Sequence, residues 1–143
     1  MKATRRTGLV WLRVAALAGG LFGLMTIRQG GAVLFGDDAA RAAAGNFVPF
    51  VLWFNFLAGF AYVTAGIGLW IRRIGAVYLA FGISLATLIV FAGFGWYALT
   101  GGAYETRTVA AMTLRSTVWL VIALTGWRIL RPSSSSDDRA RAG

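Results

Sequence analysis

The chain has 143 residues, of which 58% are hydrophobic and 13% charged, with no cysteine and no histidine. Ordinary soluble domains carry about 25% charged residues, so this composition excludes a water-soluble globule, and the length allows one domain at most. The missing residue types exclude disulfides, Cys/His zinc sites, haem ligation through those side chains and Ser-His or Cys-His nucleophile pairs. No catalytic residue, metal site or cofactor is therefore expected. Fourteen basic residues stand against five acidic ones, a net charge of +9. The basic residues sit between long apolar runs rather than along a groove, which argues for membrane topology and against nucleic acid.

A hydrocarbon core of about 30 Å takes about 20 helical residues to cross. Four stretches meet that length: residues 9–27, 47–71, 74–100 and 108–130. Each should be helical, because backbone polar groups cannot be left unpaired in hydrocarbon. The first is preceded by basic residues, as a secretory signal would be. Its 19 residues nevertheless exceed a signal's apolar core of about 7–15, and Arg13 interrupts it, so it reads as a true span. Its Ala15, Gly19 and Gly23, with Ala16 and Gly20 beside them, form a small-residue stripe suited to close helix packing. Gly59, Ala65 and Gly66 in the second span, and Gly75, Gly82, Ala86 and Gly93 in the third, read the same way.

Between the first two spans, residues 28–46 form a long link. Gly30-Gly31 is expected to break the chain, Asp38 to cap a short helix through 39–44, and Gly45 to end it. Arg72-Arg73 makes the tight corner of a helical hairpin. After Pro132 the tail, 132–143, is polar and aperiodic and is expected to be disordered. Aromatic residues on several faces of the second span, Tyr62 among them, fit a packed, lipid-facing helix.

The basic residues fix an orientation. Lys2, Arg5, Arg6, Arg72, Arg73, Arg128, Arg131, Arg139 and Arg141 fall on one side, and only Arg28, Arg41 and Arg107 on the other. The reading is thus an all-α integral membrane four-helix bundle with both termini cytoplasmic. Trp11, Trp70 and Trp127 mark one boundary, and Trp96, Tyr97 and Tyr104 the other. Arginine in place of lysine at 13 of 14 basic positions, beside abundant Ala and Gly, points to a GC-rich bacterial coding sequence and hence to the bacterial inner membrane.

Two arginines lie inside the spans. Arg13 is about 6 Å from its boundary by helical rise and can snorkel. Arg115 lies about 10 Å deep, in one layer with Asn55 of the second span. Gly19, Gly20 and Gly93 are expected opposite them. Either Arg115 reaches outward to Glu105 and steadies the bundle, or Asn55, Arg115 and Glu105 form a ligand pocket. An ion path is disfavoured, since no carboxylate lies within a span.

The layout resembles the DoxX-like family of small four-helix bacterial inner-membrane proteins. The resemblance rests on Leu12-Arg13 with the following Ala/Gly stripe and Phe22, and on the glycine-containing loop at Gly30-Gly31. It extends over residues 57–70 and the Arg72-Arg73 corner. It implies association with membrane oxidoreductase assemblies, such as the small subunit of a thiosulfate:quinone oxidoreductase, and supplies no catalytic motif. The expected function is a non-catalytic subunit or adaptor of a membrane assembly; whether the chain is an enzyme in its own right stays open and is the least favoured reading, because acid–base groups are almost absent from the spans. Its partner would be a membrane or periplasmic protein, or a second copy, and Asp37, Asp38 and Arg41 are the candidate contacts. The alternative is a protein that binds or transports a small molecule or lipid through the Asn55/Arg115 layer.

Overall fold

The computed structural model describes residues 2–130, with side chains from residue 7 onward, so the expected disordered tail lies outside the described residues. The described chain is helical, with no strand: α1 (Lys2–Phe35), α2 (Asp38–Ala44), α3 (Pro49–Trp70), α4 (Ile74–Leu99) and α5 (Thr106–Leu130). Four of these helices are long and apolar enough to cross a membrane. Their outward faces are apolar: Leu21 and Leu85 are each 62% exposed. Such surfaces suit lipid and would be costly against water.

The second, third and fourth spans keep their expected bounds to within two residues. The first does not. Rather than ending near residue 27, α1 runs 34 residues to Phe35, and Gly30-Gly31 lies inside it. The glycines serve packing here. A methyl group at Gly30 would stand 3.1 Å from the Phe56 Cβ, and one at Gly31 would stand 3.4 Å from its ring. One turn further, Phe35 meets Trp53 and Phe56 edge-on, with ring centroids 5.9 and 5.5 Å away. These contacts carry the helix through residues whose local preference is to stop, and glycine is well tolerated in membrane helices. The link proper is thereby shortened to Gly36 onward. Asp37, not Asp38, caps α2, accepting from the Ala40 N–H at 2.9 Å. Gly45 ends α2 as expected, with φ +67°, a conformation open to glycine.

α3 packs on both α1 and α4, α4 packs on α5, and a smaller contact joins α1 to α5. The α1–α3 seam is built on backbone contact. A methyl at Gly23 would fall 2.8 Å from the Gly59 carbonyl, and one at Gly66 would fall 2.8 Å from the Ala16 carbonyl and 2.9 Å from the Gly20 nitrogen. The small-residue stripes of the first two spans are thus used internally. The third span's glycines are not: a methyl at Gly75 or Gly82 meets nothing within 4 Å. The buried face of α4 instead carries Ala76, Ala80, Ser84 and Thr87.

The core has two parts. Toward the Arg72-Arg73 corner, Leu12, Ala16, Tyr62, Ala65, Leu69, Val77 and Trp119 pack together. Toward α2, Val48, Val51, Phe94 and Met112 form a smaller cluster. Tyr62 is fully buried, which corrects its assignment to a lipid-facing surface. On α3 it follows Asn55 by seven residues, and Gly59, Gly66 and Leu69 share that inward stripe.

The seam makes a sharp prediction. Gly66→Val should destabilise the purified protein by about 3 kcal/mol, since the obstructing atoms are backbone and cannot rotate away. Gly82→Ala should be neutral or should stabilise by up to about 1 kcal/mol through helix propensity. Unfolding midpoints in detergent compare the two, and equal effects would refute the backbone-contact seam.

Candidate functional site

The inward stripe of α5 reads Met112, Arg115, Trp119, Ile122, Ala123 and Gly126, all buried. Helical spacing therefore places a guanidinium at a core position, between the two apolar clusters. Arg115 is only 6% exposed. Its Nη1 donates to the Asn55 Oδ1 and lies 3.7 Å from the Met112 Sδ. The guanidinium sits 5.5 Å from the centroid of the Phe22 ring and 5.9 Å from that of Tyr62. Cation–π contacts of a desolvated Arg contribute about 2 kcal/mol each. They offset part of a burial penalty that runs to several kcal/mol for an unpaired ion.

No carboxylate completes the site. Among the described residues the one ion pair joins Arg41 to Asp38, at 3.4 Å and exposed. Glu105, expected as Arg115's partner, instead accepts from the Asn46 backbone N–H at 2.9 Å and lies against Gly45. Outward snorkelling to Glu105 is therefore not what Arg115 does. The Asn55–Arg115 association stands as the sequence places it. The glycines assigned opposite it do not: a methyl at Gly19 would meet Trp119 at 3.3 Å, and Gly20 lies against Gly66. The layer on α1 is instead Phe22 and Thr26. The physical reason is the length of α1, which ends at Phe35, two turns beyond the expected boundary at residue 27, and so carries different residues at the depth of Arg115.

Three buried polar atoms here have no hydrogen-bond partner: Arg115 Nε, Tyr62 OH and Trp119 Nε1. The Tyr62 and Trp119 rings lie 4.7 Å apart, and the Tyr62 ring is the one that faces the guanidinium. Neither aromatic stands out in the sequence as a site residue. The signal was the shared helical register with Asn55 on α3 and with Arg115 on α5.

Above Arg115 a cavity of about 370 Å³ opens between α1, α3 and α5. Thr26, Gln29, Asn55, Arg107, Thr108 and Arg115 set polar groups into a lining that is otherwise largely apolar, with Val33, Leu52 and Ala111 between them and Phe47 at the α2 side. Near the corner, α1 and α5 touch through Gly8 beside Ile129 and Gly19 beside Trp119. Toward α2 they part, and the gap is the cavity. Arg107 stands at its rim, donating to the carbonyls of Ala43 at 3.1 Å and of Ala44. Glu105 does not line it. Asp37 caps α2, Asp38 pairs with Arg41, and the Arg41 Nε reaches the Val33 carbonyl at 3.4 Å. These three residues thus brace the α1–α2 junction while remaining exposed. At the opposite end, Arg13 lies 5.7 Å over the Trp70 ring, the pairing of an interfacial arginine.

Fold and site together describe a small helical protein, with four helices able to cross a membrane and a mixed polar and apolar cavity bordered by a buried arginine. No protein-family model matches the sequence, and no match is found among curated proteins or solved structures.

Because the burial cost is charged to the guanidinium, its two partners should respond unequally to substitution. Asn55→Leu strips the charge of its acceptor and should cost about 3 kcal/mol. Arg115→Met removes charge and acceptor demand together and should cost less than about 1.5 kcal/mol. The double variant should lie close to Arg115→Met alone. Equilibrium unfolding of the four proteins supplies the cycle, and additive losses would show that the two side chains act independently.

Proposed function

We propose that the protein spans the bacterial inner membrane four times as a helical bundle, with both termini cytoplasmic, and binds a small polar ligand or lipid headgroup in the cavity above Asn55 and Arg115. The observation that carries this reading is the buried guanidinium facing a 370 Å³ cavity with no acid in its lining. An adaptor that works by helix packing has no use for such a group. Buried charge in a membrane segment is costly and marks functional sites by default. The nine-to-three distribution of basic residues supports the orientation, which places α2 and the cavity mouth on the periplasmic side. Glu105 acts in this reading as a support for the mouth, through Asn46, and not as a ligand contact. The subunit role, with Asp37, Asp38 and Arg41 meeting a partner, is the competing reading, supported by their exposure and by the absence of acid, thiol and imidazole groups from the spans.

Orientation is tested by cysteine labelling in intact cells: Ala39→Cys should react with a membrane-impermeant maleimide, and Ser134→Cys only after the cells are opened. The reverse pattern would overturn the topology. Ligand binding is tested by native mass spectrometry of protein released from membranes in mild detergent. Wild type should retain a small molecule or lipid that Ala111→Trp, which fills the cavity, loses without unfolding. A stoichiometric protein partner, with a cavity substitution that changes nothing, would favour the subunit role instead.

A further inference from the structure

The cavity's electrostatics narrow the ligand class beyond "polar", an inference that rests on the binding role just proposed. Two cations line it at different depths, Arg115 on the floor and Arg107 at the rim. They are eight residues apart on α5, about 12 Å by helical rise. Arg107 and Thr108 also belong to the first turn of α5, the positive end of its helix dipole, although the Thr108 N–H itself is taken by the Glu105 carbonyl at 2.8 Å. Only uncharged acceptors meet this charge directly: the Asn55 Oδ1 takes an Arg115 N–H, and the carbonyls of Ala43 and Ala44 take the Arg107 Nη2. Each described acid is occupied elsewhere: Asp37 on the Ala40 N–H, Asp38 on Arg41, and Glu105 on the Asn46 N–H. Glu105 and Arg107 flank Gly45 together, beyond ion-pair distance but near enough for the carboxylate to offset part of the rim charge, so Arg115 on the floor is the cation left without an acid. On the floor, Arg115 borders the cavity at only 6% exposure, and its unpartnered Nε is itself buried away from the opening.

We propose that the cavity binds the phosphate group of a phosphate ester, seated on Arg115 with Arg107 closing on it from the rim. Guanidinium groups match phosphate through paired N–H donors, in a geometry that a point charge does not supply. Two cations at separate depths, with Thr26, Gln29 and Thr108 around them, offer more donors than the two oxygens of a carboxylate employ. A phosphate dianion uses both the charge and the donors. The remaining volume accepts a small polyol, which is the build of a phospholipid headgroup as well as of a soluble sugar or glycerol phosphate. Membrane and periplasm both present this chemistry.

Asn55 gives the decisive variant. Asn55→Asp is nearly isosteric and sets a carboxylate on Arg115, supplying from within the counter-ion that the ligand would bring. The full chain in nanodiscs of phosphatidylcholine is titrated with glycerol 3-phosphate and with glycerol at constant ionic strength, following the unfolding midpoint. Glycerol 3-phosphate should raise the midpoint saturably and glycerol should not. Asn55→Asp should weaken the response at least tenfold while raising the midpoint of the ligand-free protein, and Arg107→Gln should weaken it about tenfold. In a second arm, protein extracted from phosphatidylglycerol nanodiscs is analysed for retained lipid. Retention by wild type and loss by Asn55→Asp identifies a headgroup as the source, and a response to the soluble ester without retention identifies a free phosphate ester. Equal stabilisation by glycerol would overturn the phosphate class and leave the cavity reading intact. An absence of phosphate-dependent binding in both arms would overturn the inference. If Ala111→Trp also changed nothing that co-purifies, the binding role itself would fall with it.

Discussion

A guanidinium held in an apolar interior without a carboxylate sets the terms for everything around it. The charge of Arg115 cannot be neutralised locally, so the surroundings answer it with what uncharged groups can offer: one amide oxygen from Asn55 and two aromatic faces from Phe22 and Tyr62. Such partners reduce the cost of burial without cancelling it. The residual cost is relieved where Arg115 borders the cavity. A buried pair with Glu or Asp would have been satisfied internally and would have closed the floor.

The cavity exists because two helix seams are built differently. Along α1–α3, backbone meets backbone at Gly23, Gly59 and Gly66, and the helices stay close over most of their length. Along α1–α5, the Trp119 indole is laid on Gly19 and acts as a spacer. Below it the helices touch, and above it they separate. α3 thus works as a fixed wall carrying Asn55 and Tyr62, while α1 and α5 form the sides of a wedge. Arg107, bonded to the carbonyls of Ala43 and Ala44, ties α2 across the open end. Site and fold are therefore not separable here: the ring that spaces the helices also packs against the tyrosine beneath the arginine.

The sequence exposed the features governed by composition and by long periodicity. Four apolar runs, the Arg72-Arg73 corner, the short α2 ending at Gly45 and the Asn55–Arg115 layer all follow from counting residues against a bilayer. What it concealed depends on tertiary contact. Gly30-Gly31 carries a local signal to stop, and the Phe56 ring overrides it, which moved the end of α1 by two turns. Every depth assignment on α1 moved with it, so Gly19 and Gly20 were matched to the arginine where Phe22 and Thr26 belong. Hydropathy cannot separate a lipid-facing tyrosine from a core one, because both environments are apolar. Only register against Asn55 distinguishes Tyr62 from its neighbours on α3. Glu105 was paired with Arg115 because it is the nearest acid in the chain, but its carboxylate is taken by a backbone amide that no pattern announces.

The corner between α3 and α4 has its own logic. Arg72 adopts φ +60°, and among non-glycine residues with side chains described it alone has a positive φ. The Arg73 N–H closes the turn onto the Gly68 carbonyl at 2.8 Å. Left-handed backbone of this kind costs an ordinary L-residue roughly 1–2 kcal/mol, and glycine is the residue that relieves it. In the topology proposed above, glycine would also delete one of the two adjacent charges that hold the hairpin's corner on the cytoplasmic side. On that reading, equilibrium stability and orientation by positive charge make opposite demands on a single side chain. A screen selecting for heat resistance alone would be drawn to this position, and its gain in the finished fold would come at the expense of one of the charges from which that orientation is read.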